Sequence, residues 1–260
     1  MRRRPGLSLT LPQVEGKLHF LAEKNLNLEI QLSWESAENF PDNLLSKILA
    51  WKQSTGSQVT IHAPFIDMAP GGVDPLMRQA TIMRFAQASV LAGRLQAQAI
   101  VVHPGYDEKR YWNDVDGFVA RSVEMWTRVM GLTGEFGCSI ALENIFEERP
   151  ETLRRVVEGV GSPRFGICFD AGHFNMFSKV PLAEWLDALG GMIVELHLHN
   201  NYGEHDDHNG MVRGTFDFVP LFARLDEMGV DPILVMEPHK EEGIIESLKF
   251  MDSLAVLAKG

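Results

Sequence analysis

Long hydrophobic runs are missing from this chain: no stretch approaches the ~18 apolar residues of a membrane span, which excludes a membrane-spanning helix. Cysteine is scarce. Cys138 and Cys168 both sit in apolar runs and match neither a CxxC nor a zinc-ribbon spacing, so they read as two small buried hydrophobes in a reducing compartment. Positive charge is short as well, with 24 Lys plus Arg against 35 Asp plus Glu for a net charge of −11. That balance argues against broad affinity for nucleic acid or anionic membrane, because phosphate binding draws on clustered cations. The basic start MRRRPG is followed by LSLTLPQVEGK, which has neither an apolar core of signal-peptide length nor a small-residue cleavage site, and a cytoplasmic location is expected. No Gly/Ser/Pro-rich linker interrupts the 260 residues, so residues 1–260 read as one domain.

What is present is an alternation of short β-rich runs with longer amphipathic stretches. The runs are Gly6–Thr10, Leu26–Leu32, Gln58–His62, Ala99–His103, Ser139–Glu143, Phe165–Asp170, Ile193–His199 and Ile233–Glu237. They read as near-continuous Val/Ile/Leu strands, the pattern of parallel strands covered by helices. Helices are expected at Pro41–Gln53, Asp74–Leu95, Asn113–Phe136, Pro150–Val160 and Glu242–Ala258. Eight βα units in an uninterrupted chain predict an α/β fold, a single (β/α)8 TIM barrel, since closure pairs every strand edge and about 250 residues is the usual size.

Residues able to hold a metal fall at the C-terminal ends of six consecutive strands: His62, His103, Glu143, Asp170, His197 and Glu237. In a barrel those ends converge on one face, which carries the active site. Local spacing adds His173, in DAGH after the sixth strand, and Asp206 with His208, in DDH after the seventh. A single strand-end histidine is ordinarily a hydrogen-bonded core residue. Four carboxylates gathered at one mouth are different, because they repel one another unless a cation neutralises them. Imidazole and carboxylate without thiolate suit Zn or Mn, with Mg, Co and Fe(II) admissible. Nine ligands exceed what one open ion takes, so between one and three divalent ions are expected, two or three before one. His199 is expected to face the opposite side of its strand from His197 unless the strand bulges, which leaves His197 as the ligand. His239 is placed near the rim and His205 in the loop. Trp34, Phe65, Tyr106 and Phe146 follow strands and offer an apolar wall or lid, though ordinary packing is the more common reason for such residues.

The segments VTIHAPF, IVVHPG, IALEN, FDAGH, HLHNNYGEHDDH and LVMEPH resemble, in order and over nearly the whole chain, the xylose isomerase-like TIM-barrel superfamily. That superfamily holds sugar isomerases and epimerases together with AP endonuclease family 2, the endonuclease IV type. In the sugar branch the resemblance implies one divalent ion, often Mn, held by Glu143, Asp170, His197 and Glu237. It also implies that Glu143 and Glu237 act as the catalytic acid/base pair through a metal-stabilised enediolate, with His173 holding substrate oxygens. In the nuclease branch it implies three zinc ions on all nine ligands and phosphodiester cleavage. FDAGH, where nucleases usually read DTCH, favours the sugar branch, as does HLHNN followed by a DxH loop and GTFDF. The mouth loops agree: APFIDMAPGGVDP carries no Lys or Arg, and Glu204, Asp206 and Asp207 precede Arg213.

The chain departs from the sugar pattern at Asn200, where many members have Asp, and at Val212–Gly214, where many read GEG. Arg213 is therefore a candidate contact for a substrate phosphate or carboxylate, beside Phe65 and His173. The expected function is a metal-dependent isomerase or epimerase of a sugar or sugar phosphate, with a small-molecule carbohydrate as partner, nucleic acid disfavoured and no membrane partner. A zinc-dependent AP endonuclease or phosphodiesterase is the alternative, and a metal- or ligand-binding barrel without turnover a third. No apolar stripe decides the oligomeric state.

Overall fold

A computed structural model describes residues 4–133 and 137–257. Eight strands, β1 Gly6–Thr10, β2 Asn27–Gln31, β3 Val59–His62, β4 Ala99–Val102, β5 Ser139–Glu143, β6 Phe165–Asp170, β7 Ile193–Leu198 and β8 Ile233–Met236, pair in sequence order and all in parallel. β1 closes on β8, so the sheet is a barrel without edges. Between the strands run α1 Leu11–Glu23, α2 Trp34–Glu38, α3 Asp42–Thr55, α4 Pro75–Leu95, α5 Glu108–Tyr111, α6 Val115–Thr133, α7 Glu151–Val160, α8 Ala171–Phe177, α9 Leu182–Leu189, α10 Phe218–Met228 and α11 Glu241–Leu257. The five helices expected from sequence are all present, while the ends proposed at Phe136 and Ala258 lie outside the described residues. Local chemistry explains several boundaries. Asp74 caps α4 by accepting from Leu76 N–H with Pro75 at the first turn, and Gly56, Gly161 and Gly229 end α3, α7 and α10 at positive φ.

The strands do not read as the continuous apolar runs expected of them. In β2 Leu28 and Ile30 join the hydrophobic core while Glu29 is buried between them, and β3 alternates Val59–Thr60–Ile61–His62. The same holds in β7, where Leu196 and Leu198 are core residues and Glu195 and His197 alternate with them. The outward set packs under the helices. The inward set is polar on β1, β2, β3 and β7, and its members meet inside the barrel. Ser8 Oγ donates to Glu29 Oε1 at 2.8 Å, and Thr60 Oγ1 on β3 reaches Glu195 Oε1 on β7, four strands away, at 3.2 Å. Barrel interiors are usually filled by Val, Ile and Leu. Here aliphatic and small residues, Val101, Ala141 and Cys168, fill the β4–β6 side.

Candidate metal centre

The polar set continues upward to the C-terminal mouth, where the sequence-proposed ligands converge. His62 Nε2, His103 Nε2 and Glu143 Oε2 lie 3.1 to 3.2 Å from one another. Metal–ligand bonds of about 2.1 Å at tetrahedral to octahedral angles put neighbouring donors roughly 3.0–3.4 Å apart, so this triangle has the size of one face of a coordination shell. A second group is Asp170, His173 and His199, with His199 Nε2 at 3.0 Å from Asp170 Oδ2 and His173 Nδ1 at 3.4 Å from Asp170 Oδ1. A third is His199, His208 and Glu237. Asp206 bridges the last two groups, 3.4 Å from His173 Nε2 and 3.1 Å from His208 Nε2.

Hydrogen bonds to backbone fix which ring nitrogens are free. His62 Nδ1 lies 3.0 Å from Ala63 O, His173 Nδ1 3.0 Å from Asn144 O, and His208 Nδ1 3.1 Å from Glu237 O. A carbonyl only accepts, so each Nδ1 carries a proton and each neutral ring leaves Nε2 bare toward the carboxylates. That is the arrangement by which proteins orient metal-binding histidines. His199 Nδ1, fully buried, has no hydrogen-bond partner. Imidazole nitrogens facing carboxylate oxygens are satisfied either by a second proton on the ring or by a cation between them, and these donors fit a divalent metal by type, count and orientation.

Without a metal, protons on the rings answer the carboxylates. Burial disfavours the charged imidazole of His208, but Asp206 and Glu237 outweigh it and push the ring up to about 9. Burial alone would raise Asp170, yet His173 and His199 hold it at about 2. Glu143 behaves likewise, held well below the carboxylate range by His197 and His103 against its burial.

His199 corrects the sequence reading. It was expected to face away from His197, but residues two apart in a strand share a face, so both rings of HLH point inward without a bulge. His199 lies at the mouth in two of these groups, and Glu143, Asp170 and His197 form a further one. His197 lies at the junction with the barrel interior, its Nδ1 3.3 Å from Glu143 Oε1 and 3.5 Å from Glu237 Oε2, and its Nε2 3.5 Å from Glu29 Oε2.

The loop after β7 is tied down by amides. Asn200 donates to Met211 O and Phe216 O and accepts from Phe216 N–H, and Asn201 donates to Gly172 O. An Asp at position 200 would have no such donors, so this departure from the family pattern shapes the loop that presents Asp206 and His208. His208 itself sits at φ 46°, a left-handed backbone costly for a residue with a side chain. Arg213 is engaged by Glu242 at 2.6 Å and Glu246 at 2.7 Å on α11, so an anion would have to displace those carboxylates to reach it. Phe65 stacks on His103, with ring centroids 4.5 Å apart, and forms one end of a cavity of about 620 Å³ that runs to Trp34, Gln31 and Thr10. Its lining contains no Lys or Arg. Tyr106 is buried against Tyr111 and Phe118, whereas Phe146 is exposed and meets Phe177.

Three further acids escaped the sequence reading: Glu29, Glu195 and Glu147. Glu147, in the turn after β5, is buried, accepts from Ile145 N–H at 2.7 Å through Oε2 and leaves Oε1 without a partner. Burial raises it from 4.5 to about 7. Because the folded value lies above the unfolded one, the folded state binds the proton more tightly, and this stabilisation, complete below pH 4.5, is lost as pH rises to about 7. Glu147→Gln is therefore expected to gain on the wild type across that window, by up to about 3 kcal/mol at pH 8. Urea unfolding of both proteins at pH 4.5 and 8 checks it, and an equal difference at both pH values would refute it.

A family model described as xylose isomerase-like TIM barrel matches residues 28–254. The chain belongs to that family. An uncharacterised protein of Methanocaldococcus jannaschii, MJ1311, is 27% identical over 201 residues, 75% of this chain and 69% of the relative. The solved TTHB071 protein of Thermus thermophilus, from crystals soaked with ZnCl2, is 26% identical with a TM-score of 0.83 and covers 100% of this chain and 99% of its own. The D-psicose 3-epimerase of Clostridium cellulolyticum, solved with D-tagatose, shares the fold at 15% identity and a TM-score of 0.79, covering 96% of this chain and 99% of its own.

Proposed function

We propose that this family member is a divalent-metal-dependent isomerase or epimerase of a small carbohydrate, working by proton transfer beside a carbonyl group through an enediolate. The observation that carries the reading is the placement of Glu143 and Glu237. They rise from β5 and β8, well separated around the ring, and both come within 3.5 Å of the same His197 nitrogen. Two carboxylates on either side of one bound molecule can remove a proton from one face and return it to the other. The metal would be held by His62, His103, Glu143, Asp170, His173, His199, Asp206, His208 and Glu237, with His197 bridging Glu143 and Glu237. When bound, it supplies a Lewis acid that polarises the carbonyl. Zn and Mn suit the donor set, and the ZnCl2-soaked Thermus structure supports zinc.

The chain's own residues do the rest. Glu143 or Glu237, ionised, takes the proton from the carbon next to the carbonyl, and the other, protonated, gives one back. Delivery to the opposite face of the same carbon is epimerisation; delivery to the former carbonyl carbon is isomerisation. His173 lies close enough to the pair to hold a substrate hydroxyl, and Phe65 offers an apolar wall to a sugar face. The epimerase structures sharing this fold support a carbohydrate substrate.

A second reading keeps one specific observation: the donors at the mouth form several overlapping groups, each able to hold an ion, as a phosphodiesterase with more than one zinc would require. Against it stands a cavity without cations to grip phosphates. Incubating metal-loaded protein with a panel of free ketoses, their phosphates and an abasic-site duplex separates the two. Converted sugar, lost on EDTA treatment, with the duplex intact is expected; cleaved duplex without sugar conversion would overturn the proposal.

A further inference from the structure

Beneath the mouth, the barrel interior holds a further group of donors, of which the proposed chemistry leaves Glu29 and Glu195 unused. Glu29 on β2, Glu195 on β7 and His197 are each 0% exposed, and one donor atom from each lies within 4.8 Å of the others. Neither carboxylate pairs with a Lys or Arg among the described residues. Burying one unpaired carboxylate costs several kcal/mol, and two facing each other cost more, unless a cation or a shared proton compensates. Two atoms in this group are unsatisfied: Glu195 Oε2 and His197 Nε2, both fully enclosed, have no hydrogen-bond partner. The hydroxyls of Ser8 and Thr60 complete an oxygen-rich wall, at 2.8 Å from Glu29 Oε1 and 3.2 Å from Glu195 Oε1.

We propose that Glu29, Glu195 and His197 Nε2 form a separate, closed site for a divalent cation inside the barrel. The imidazole serves two sites through opposite edges: Nδ1 faces Glu143 in the mouth, and Nε2 faces Glu29 below it. A shared proton is the competing account. It would place one proton between the carboxyls and a second on His197 Nε2, 3.5 Å from Glu29 Oε2, so the two accounts differ in whether one cation or two protons join the three groups. Enclosure leaves no position for substrate, so the ion is structural: it joins β2 to β7 across the barrel and fixes the ring on which Glu143 and Glu237 both lean. Carboxylate and imidazole donors suit Zn or Mn.

The test is anomalous diffraction at the zinc edge from protein produced in zinc-supplemented medium, so that loading does not depend on entry into a folded barrel. A peak between Glu29, Glu195 and His197 is expected. Peaks confined to the mouth, with the two carboxyls in direct contact over a shared proton, would overturn the proposal. Elemental analysis gives an independent readout: Glu195→Gln should carry one ion fewer per chain than the wild type, while an unchanged count in folded Glu195→Gln would also overturn it. The outcome is separable from the functional reading, since loss of the mouth peaks alone would contradict that reading and leave the interior site standing.

Discussion

Glu143→Gln should lower proton-transfer turnover by about 10³-fold or more, and should also reduce bound metal. The carboxylate does two things that an amide cannot. Its Oε2 faces the bare nitrogen of His62 and Nε2 of His103, and its Oε1 meets His173 and His197 at 3.3 Å. An amide presents no full negative charge to a cation and cannot accept a proton from carbon. Initial rates on a converted sugar and metal content per chain, measured on the same preparation, check both effects. Wild-type rates with full metal content would remove Glu143 from the reaction.

Gly172→Ala should destabilise the protein by about 1–3 kcal/mol and disturb metal binding, although the same change in most helices stabilises. Gly172 is the second residue of α8, and a Cβ there would stand 2.0 Å from His199 Cε1. The ring has nowhere to retreat. His208 stacks on it at 3.9 Å with the planes 4° apart, and Asp170 holds Nε2 at 3.0 Å. Gly16→Ala in α1 is the control, since nothing lies within 4 Å of a Cβ there, and it should be neutral or stabilising by about 0.5–1 kcal/mol. Thermal melts and metal analysis of the two variants decide; equal behaviour would mean that the ring can move aside.

The barrel was legible because its signals are local and repeated. Six of the eight strands end in a residue of ligand type, and closure at one face turns those ends into one cluster without any side-chain detail. Two parts of the site were legible but misread. HLH in β7 and LEI in β2 alternate with a period of two, which sends His199, His197 and Glu29 inward together, while a reading of apolar runs hid the polar interior. Other parts were out of reach of local pattern. The contact of Thr60 with Glu195 spans four strands, and the capture of Arg213 by α11 depends on how the last helix packs. The structural role of Asn200 was hidden because its backbone partners, Met211 and Phe216, meet it only after the loop folds back on itself.

The most direct measurement is exchange of solvent deuterium into a ketose, followed by NMR at the carbon beside the carbonyl. Metal-loaded protein is predicted to incorporate deuterium there, to stop when EDTA removes the metal, and to resume when Zn or Mn is restored. Absence of exchange across free and phosphorylated ketoses, in protein shown to carry its metal, would contradict the account.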